Sequence, residues 1–434
     1  MRVLVVGGGG REHALCWKLR QSPECDELYC APGNPGIADV ADRVPIAAEE
    51  VVRLADFARD MRIDLTVVGP ELPLALGLAD ELTSRGLAVF GPSARAAELE
   101  GSKAFAKQFM ERHGIPTAPF RLAHDAAEAR AARQELGLPI VLKADGLASG
   151  KGVFVCASDE ELDDALAALF EERRFGASGE RVVVEQFLDG EEVSFLALSD
   201  GERLLPLATA KDYKRIGDDD TGPNTGGMGC HSPSGLFTAE IAAEVIDKVL
   251  RPTIAGMAAE ARPFVGVLYA GLMLTAEGPR VLEFNARFGD PEAQAILLRL
   301  EDDLLPILAT AAAGRIETPR LRFRPQAAAC VVLASPGYPG KPVTGEPIGG
   351  LERAAGLPGV EIFHAGTGLD EDGWLVSAGG RVLDVCALGA DLVEALHRAY
   401  GAVQQVEWAG KTYRRDIGRR VVDRIAEVQN GGAR

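Results

Sequence analysis

Basic residues are scarce in this chain. Its 434 residues carry 46 Lys and Arg against 64 Asp and Glu, a formal net charge of −18. With no surplus of cations to neutralise a phosphate backbone, a general nucleic-acid binder is excluded. A phosphorylated small molecule would have to be met by locally concentrated basic residues. Cysteine is sparse as well. The seven (16, 25, 30, 156, 230, 330, 386) are odd in number, scattered and without a Cys-x-x-Cys pair. They read as buried thiols in a reducing compartment, not as a disulfide or zinc framework. No apolar run approaches membrane-spanning length. The opening Arg2-Val-Leu-Val-Val6 is too short for a signal core and runs straight into glycines. Internal repeats and low-complexity tracts are missing too. These absences predict a cytoplasmic protein with neither a membrane nor a nucleic-acid partner. What remains is ordinary globular composition, 47% apolar and 25% charged, at a length of roughly two to four domains. Fifty glycines point to many turns and backbone-lined loops.

The first hundred residues alternate short apolar runs with amphipathic segments. Strands are expected at 2–6, 27–31, 64–68 and 87–90 and helices at 11–21, 49–60 and 73–85, which predicts a parallel, doubly wound sheet. A helix follows from Ser102 to about His113, with Lys103 and Lys107 on one face. A smaller α/β unit is expected at 115–190, with strands at 139–143, 152–156 and 181–186 and a helix at 159–172. Residues 191–300 return to β-rich sequence, with helices near 238–260 and 291–300. Pro319–Pro325 reads as a linker. The remainder, 326–434, has short strands and a helix near 391–404, and little obvious chemistry.

Glu283-Phe284-Asn285-Ala286-Arg287 is the most informative stretch. As a strand it would set Glu283, Asn285 and Arg287 on one face and Leu282, Phe284 and Ala286 on the other. Carboxylate and amide oxygens suit a hard cation, and a guanidinium makes a fixed fork for carboxylate or phosphate. The plainer reading is a solvated edge strand before a helix capped by Asp290, with Pro291 in its first turn. Gly7-Gly-Gly-Gly10-Arg-Glu-His13 sits between strand and helix, where an anion is favoured. It fails as a dinucleotide fingerprint, because Glu12 stands at the third glycine position and Pro32 where an acidic residue would meet a ribose. A phosphate site or a ligand-free tight turn both remain open. Lys143-Ala-Asp-Gly146-Leu-Ala-Ser-Gly150-Lys151-Gly152 offers two lysines and glycines that could close over phosphates, or a plain hairpin. Val182-Val-Val-Glu185 is an apolar strand ending in an acid, with Phe187 and Glu192 beyond it, and reads as an adenine hinge or an ordinary strand–turn–strand. Lys211–Gly229 is a long polar loop, functional or merely surface.

In this order the pieces resemble an ATP-grasp fold. More closely, the chain resembles the phosphoribosylamine–glycine ligases of purine biosynthesis, essentially end to end. The specific markers are Gly9-Gly-Arg-Glu-His-Ala14, Ala31-Pro-Gly-Asn34, Val68-Gly-Pro-Glu71, Gly101-Ser-Lys-Ala104, Lys143-Ala-Asp-Gly-Leu-Ala148, Gly222–Gly229, Tyr269-Ala-Gly-Leu272 and Arg287-Phe-Gly-Asp-Pro-Glu292. The resemblance implies a doubly wound N-terminal unit (1–101), an ATP-grasp unit (102–318, with the lid-like part about 115–190) and a C-terminal α+β unit (326–434). It implies ATP-dependent joining of glycine to 5-phosphoribosylamine through glycyl phosphate.

Implied roles follow residue by residue. Glu283 and Asn285 hold Mg²⁺ or Mn²⁺; Lys103, Lys143, Gly146, Gly150, Lys151 and Gly152 meet the ATP phosphates; Glu185, Phe187 and Glu192 form the adenosine site. Arg287 steadies the glycyl carboxylate, Asp212 binds the glycine ammonium, and Gly289 belongs to the substrate-binding set. Lys214 with Thr225, Gly226, Gly227, Met228 and Gly229 holds phosphoribosylamine, to which Gly8, Gly9, Gly10 and His13 add from the N-terminal unit on domain closure. A monomer is expected; whether the unstable amine diffuses in or is handed over by the enzyme that makes it stays open. Departures are small. Gly8 replaces a frequent Asn, Ala286 a frequent Cys or Val, and Gly271–Thr275 lacks the extra carboxylate metal ligand common in ATP-grasp enzymes. The rivals are a bicarbonate-using ATP-grasp enzyme, a nucleotide-sensing module and an NAD dehydrogenase, the last weakened by Glu12 and Pro32.

Overall fold

The structure is a computed structural model that describes all residues except 147–151, 173, 175 and 432–434, and no side chains at 177–178, 425–426 and 428–431. Arg2–Gly7, a run of β-branched and apolar residues, is the central strand of a five-stranded parallel sheet. Its order is Asp42–Arg43, Glu27–Pro32, Arg2–Gly7, Leu65–Val68, Val89–Phe90. Helices Gly10–Arg20 and Val51–Asp60 lie among the crossovers, as the βα alternation dictates. The helix expected at 73–85 is two pieces, Glu71–Ala75 and Leu78–Ser84. Gly77 between them adopts φ +86°, which ends the first and starts the second.

Helices Ala94–Gly101 and Lys103–Arg112 lead into two antiparallel sheets. The smaller unit holds the order Phe120–Ala123, Val182–Gln186, Ile140–Ala144, Val153–Cys156. It also carries a helix not expected from the sequence, Ala126–Leu136, capped by Asp125. The larger sheet has the order Leu204–Pro206, Glu191–Asp200, Val265–Thr275, Gly278–Asn285. A third antiparallel sheet runs Lys211–Asp212, Gly229–Ser232, Ala327–Ala334, Arg381–Gly389, Val360–His364. Its first two strands come from the middle of the chain and flank the glycine-rich loop. That loop is therefore part of the C-terminal sheet.

Every residue of helix Glu292–Arg299 is buried. It packs beside Gly10–Arg20 and against the C-terminal sheet, in the largest core. A helix buried all round must satisfy its polar residues internally. Glu292 meets Ser194 and Tyr269, Gln294 meets Asp290 and Asp384, and Arg299 meets Ser232 and two backbone carbonyls. Among the described residues no helix is long and apolar enough to cross a membrane.

Candidate active site

Strand Gly278–Asn285 does not alternate cleanly. Glu283 lies opposite Gly271 but Val281 opposite Leu272, so Leu282 is an extra, bulged residue. Phe284 and Ala286 are buried as expected, whereas Leu282, expected beside them, is only half-buried and Val281 is buried instead. The bulge turns the Leu282 carbonyl toward the smaller sheet, where Lys143 Nζ donates to it at 3.0 Å. A side-chain period of two could not show this contact. Lys143 also pairs with Glu185, whose other oxygen takes Lys107, and all three are buried. Burial pushes the Glu185 carboxyl up, but the two ammonium groups outweigh it and keep it below the usual range. Lys107, which also donates to Thr117 Oγ1 at 2.7 Å, is lowered by burial to about 8. Both oxygens of Glu185 are thus occupied. What Glu185 offers the expected adenosine site is a fixed strand end and a rigid Lys143, not a free carboxylate. Phe187 beyond it is 37% exposed, available to a flat ring.

Glu283 stands between two groups of lysines. Lys214 Nζ lies 3.3 Å from its Oε1 and 2.5 Å from Glu192 Oε1. Burial raises the Glu283 carboxyl, but Lys214, Lys143 and Lys103 overcome this and hold it at about 2. Burial pulls Lys214 down, but Glu192 and Glu283 more than offset it, so the ammonium stays well above its ordinary value. Glu192, expected at the ribose, is paired with Lys214. Lys103 donates to the Gly146 carbonyl at 2.9 Å, and desolvation lowers it. Gly152 precedes strand Val153–Cys156, its carbonyl accepting from the Ala144 N–H at 2.8 Å; Gly150 and Lys151 lie outside the described residues.

Asn285 Oδ1 accepts from Arg287 Nη2 at 3.1 Å. The same guanidinium meets Glu100 at 3.0 Å, Glu71 at 3.4 Å and the Phe288 carbonyl at 3.2 Å. Arg287 is therefore fixed by two acidic residues reaching in from helices before and after strand Val89–Phe90. The expected helix cap does not fix it. Pro291, not Asp290, is the N-cap residue of Glu292–Arg299, and no side chain caps that end. The Asp290 carboxylate is drawn away to Arg381 at 3.1 Å and Gln294 at 2.9 Å.

Asp212 accepts from the following backbone N–H, of Tyr213, at 2.7 Å, and its Oδ1 lies 2.8 Å from where a Cβ on Gly227 would stand. Gly227 has φ +115°, so only glycine fits on both counts. Burial, then the charge of Glu292, push the Asp212 carboxyl well up while Lys214 opposes them. Two carboxyl groups so placed favour an arriving cation. The Thr225–Gly229 loop is held by Thr225 Oγ1 on the Lys214 carbonyl at 2.8 Å and by Met228 N–H on the Tyr213 carbonyl at 2.8 Å. Met228 is fully buried and can present only backbone. Gly289 is buried against Glu292.

The N-terminal loop departs most from expectation. Gly9 N–H donates to Glu12 Oε2 at 2.6 Å, and Arg11 binds the other oxygen at 2.5 Å while donating to Phe288 O at 3.2 Å. The residue that breaks the dinucleotide fingerprint thus fills the anion position itself, so a phosphate cradle at Gly8, Gly9 and Gly10 is not open at Gly9. Gly10 packs directly on the Asp384 carboxyl, and the Gly8 carbonyl accepts from Asn34 at 3.0 Å. His13 is buried, and its Nδ1 accepts from His364 N–H at 2.8 Å. Burial, then His364, lower it to about 3, so it is neutral packing against the C-terminal sheet. The loop is docked on the C-terminal sheet through His13 and Asn34, which both bond the His364 backbone. The sequence reading missed Arg381, Tyr338, Glu71, Glu100 and the Ser194–Tyr269–Glu292 cluster. Glu71, Tyr269 and Glu292 lie inside motifs quoted for the resemblance; Arg381 and Tyr338 have no such signal.

Known proteins resemble this chain along its whole length. Residues 101–293 match the phosphoribosylglycinamide synthetase ATP-grasp (A) domain, 1–100 its N domain and 328–420 its C domain. The phosphoribosylamine–glycine ligase of Rhizobium meliloti is 52% identical over 98% of this chain and 99% of its own. The crystal structure of the Thermotoga maritima phosphoribosylamine–glycine ligase matches with a TM-score of 0.83 at 35% identity, over 96% of this chain and all of that one. The biotin carboxylase domain of Hydrogenobacter thermophilus 2-oxoglutarate carboxylase shares the ATP-grasp fold alone, with a TM-score of 0.70 at 19% identity over 95% of this chain and 91% of that one. With its three domain models in order and relatives at half identity along its full length, the chain belongs to the phosphoribosylglycinamide synthetase family.

Proposed function

We propose that the protein joins glycine to 5-phosphoribosylamine with ATP in purine biosynthesis, giving glycinamide ribonucleotide, ADP and phosphate. The observation that carries this reading is the position of Glu283, with Lys103 and Lys143 on one side and Lys214, beside Asp212, on the other. One carboxylate adjoins both a phosphate-binding and an amine-binding surface. A glycine carboxylate oxygen attacks the γ-phosphorus, the bond to ADP breaks, and glycyl phosphate forms. The phosphoribosylamine nitrogen then attacks the acyl carbon, phosphate leaves, and the nitrogen loses a proton. Activation is needed because a free carboxylate has no leaving group, and the protein's share is positioning and charge stabilisation.

Lys143, held by Glu185 and the Leu282 carbonyl, and Lys103, held by the Gly146 carbonyl, meet the phosphates. Phe187 and the strand end at Glu185 form the adenosine side. Asp212, sensitised by Glu292, takes the glycine ammonium. Arg287 lies over the reacting carboxylate, and Lys214 with the 225–229 loop receives phosphoribosylamine. Glu283, ionised, and the Asn285 oxygen fit Mg²⁺ or Mn²⁺ as a partial donor set. The described residues form no cluster of three or more His, Cys, Asp or Glu that could hold a metal, so phosphate oxygens would complete the shell. Such an ion neutralises developing phosphate charge. The test is ADP release with glycine and freshly generated phosphoribosylamine. Turnover with bicarbonate in place of glycine would sink the reading.

A further inference from the structure

Between the Thr225–Gly229 loop and the Phe288–Pro291 turn, some sixty residues apart in sequence, one side chain touches both. Arg381, at the start of strand Arg381–Gly389, donates through Nη1 to the Gly226 carbonyl at 2.8 Å and the Asp290 carbonyl at 2.8 Å. Its Nη2 lies 3.1 Å from Asp290 Oδ2. Tyr338, from the same C-terminal unit, accepts the Gly226 N–H on its hydroxyl at 2.9 Å. Both backbone groups of Gly226 are therefore held by side chains from outside the ATP-grasp region. Asp290 is held in turn by Gln294, which also donates to Asp384 Oδ2 at 2.8 Å. A guanidinium suits this place because its planar fork reaches several acceptors in fixed directions, which a lysine ammonium cannot do.

We propose that Arg381 is a positioning residue for phosphoribosylamine: it sets the substrate loop against the Asp290 turn, with Tyr338 as its second tie. This rests on the assignment of that loop to phosphoribosylamine. The nucleotide-side lysines have other partners, Glu185, the Leu282 carbonyl and the Gly146 carbonyl. Loosening Arg381 should therefore leave ATP binding nearly untouched. The split between substrates separates positioning from general destabilisation.

The experiment measures glycine-dependent ADP release with phosphoribosylamine generated in situ. Arg381→Ala should raise KM for phosphoribosylamine tenfold or more, about the loss expected from hydrogen bonds to a charged group. KM for ATP should change less than about twofold, and millimolar guanidinium should restore part of the loss. Arg381→Lys should fall between. Parallel rises in both KM values without rescue, or no change in either, overturn the proposal. If Arg381→Ala does not fold, Tyr338→Phe decides: a severalfold rise in KM for phosphoribosylamine at an unchanged thermal midpoint supports the clamp, and an unchanged KM overturns it. Wild-type protein that releases no ADP with glycine overturns the functional reading instead, so the two failures are distinguishable.

Discussion

The two halves of the site are built on different plans. On the nucleotide side the charges are paired within one compact set of adjoining elements: Lys107 and Lys143 flank Glu185, and Lys143 reaches one bulged strand. On the substrate side nearly every group is held from a distant part of the chain. Arg287 is fixed by Glu71 and Glu100, the 225–229 loop by Arg381 and Tyr338, and the N-terminal loop by Asp384 and His364. A nucleotide's phosphates can be met by local motifs with strong point charges. Under the proposed reaction a sugar amine and an amino acid must be placed side by side, and the groups assigned to them are tied to distant parts of the chain.

Removing the group shared by both halves should have the largest effect. Glu283→Ala is expected to lower kcat about a thousandfold while circular dichroism and the thermal midpoint stay near wild type; activity within tenfold of wild type would break the two-sided account of Glu283. Next comes the nucleotide side alone. Glu185→Gln leaves two buried lysines without their counter-charge and should cost about 3 kcal/mol in urea unfolding, with KM for ATP rising more than KM for glycine. An equal rise in both would erase the contrast between the halves.

Acid should discriminate in the other direction. His13 and His364, at the seam behind the substrate side, are lowered to about 3 and about 4 chiefly by burial. A histidine with its folded pKa below the unfolded value contributes fully above about pH 6.5, and that stability is lost as the unfolded chain takes up protons below it. Each should cost about 2 kcal/mol by pH 5. Urea unfolding at pH 5 and pH 7 checks this, and His13→Asn should flatten the dependence by one proton. The smallest expected change is Phe187→Ser, raising KM for ATP about threefold through lost ring contact with no change for glycine; a glycine effect of equal size would move Phe187 out of the adenosine side.

Much of the nucleotide half was legible because its residues are neighbours in sequence or repeat at strand and helix periods. Lys103 and Lys107 share a helix face, and Glu283 and Asn285 share a strand face. Leu282 was misassigned to the apolar face because a bulge is a property of two strands in register, invisible in one. Asp290 read as a helix cap because its local spacing fits one; Arg381, some ninety residues on, claims its carboxylate instead. Glu12 was read only as a missing glycine, yet its carboxylate folds back onto Gly9.

By itself the sequence determined the parallel N-terminal sheet, the motif order of an ATP-grasp ligase and the residue types able to meet phosphate, ammonium and carboxylate, because periodicity and short motifs are local. Only the tertiary structure decided which charges are already neutralised and which distant arginine ties the Thr225–Gly229 loop to the Asp290 turn. Pairing energies depend on distances through space, and residues far apart along a chain have no sequence pattern that records them.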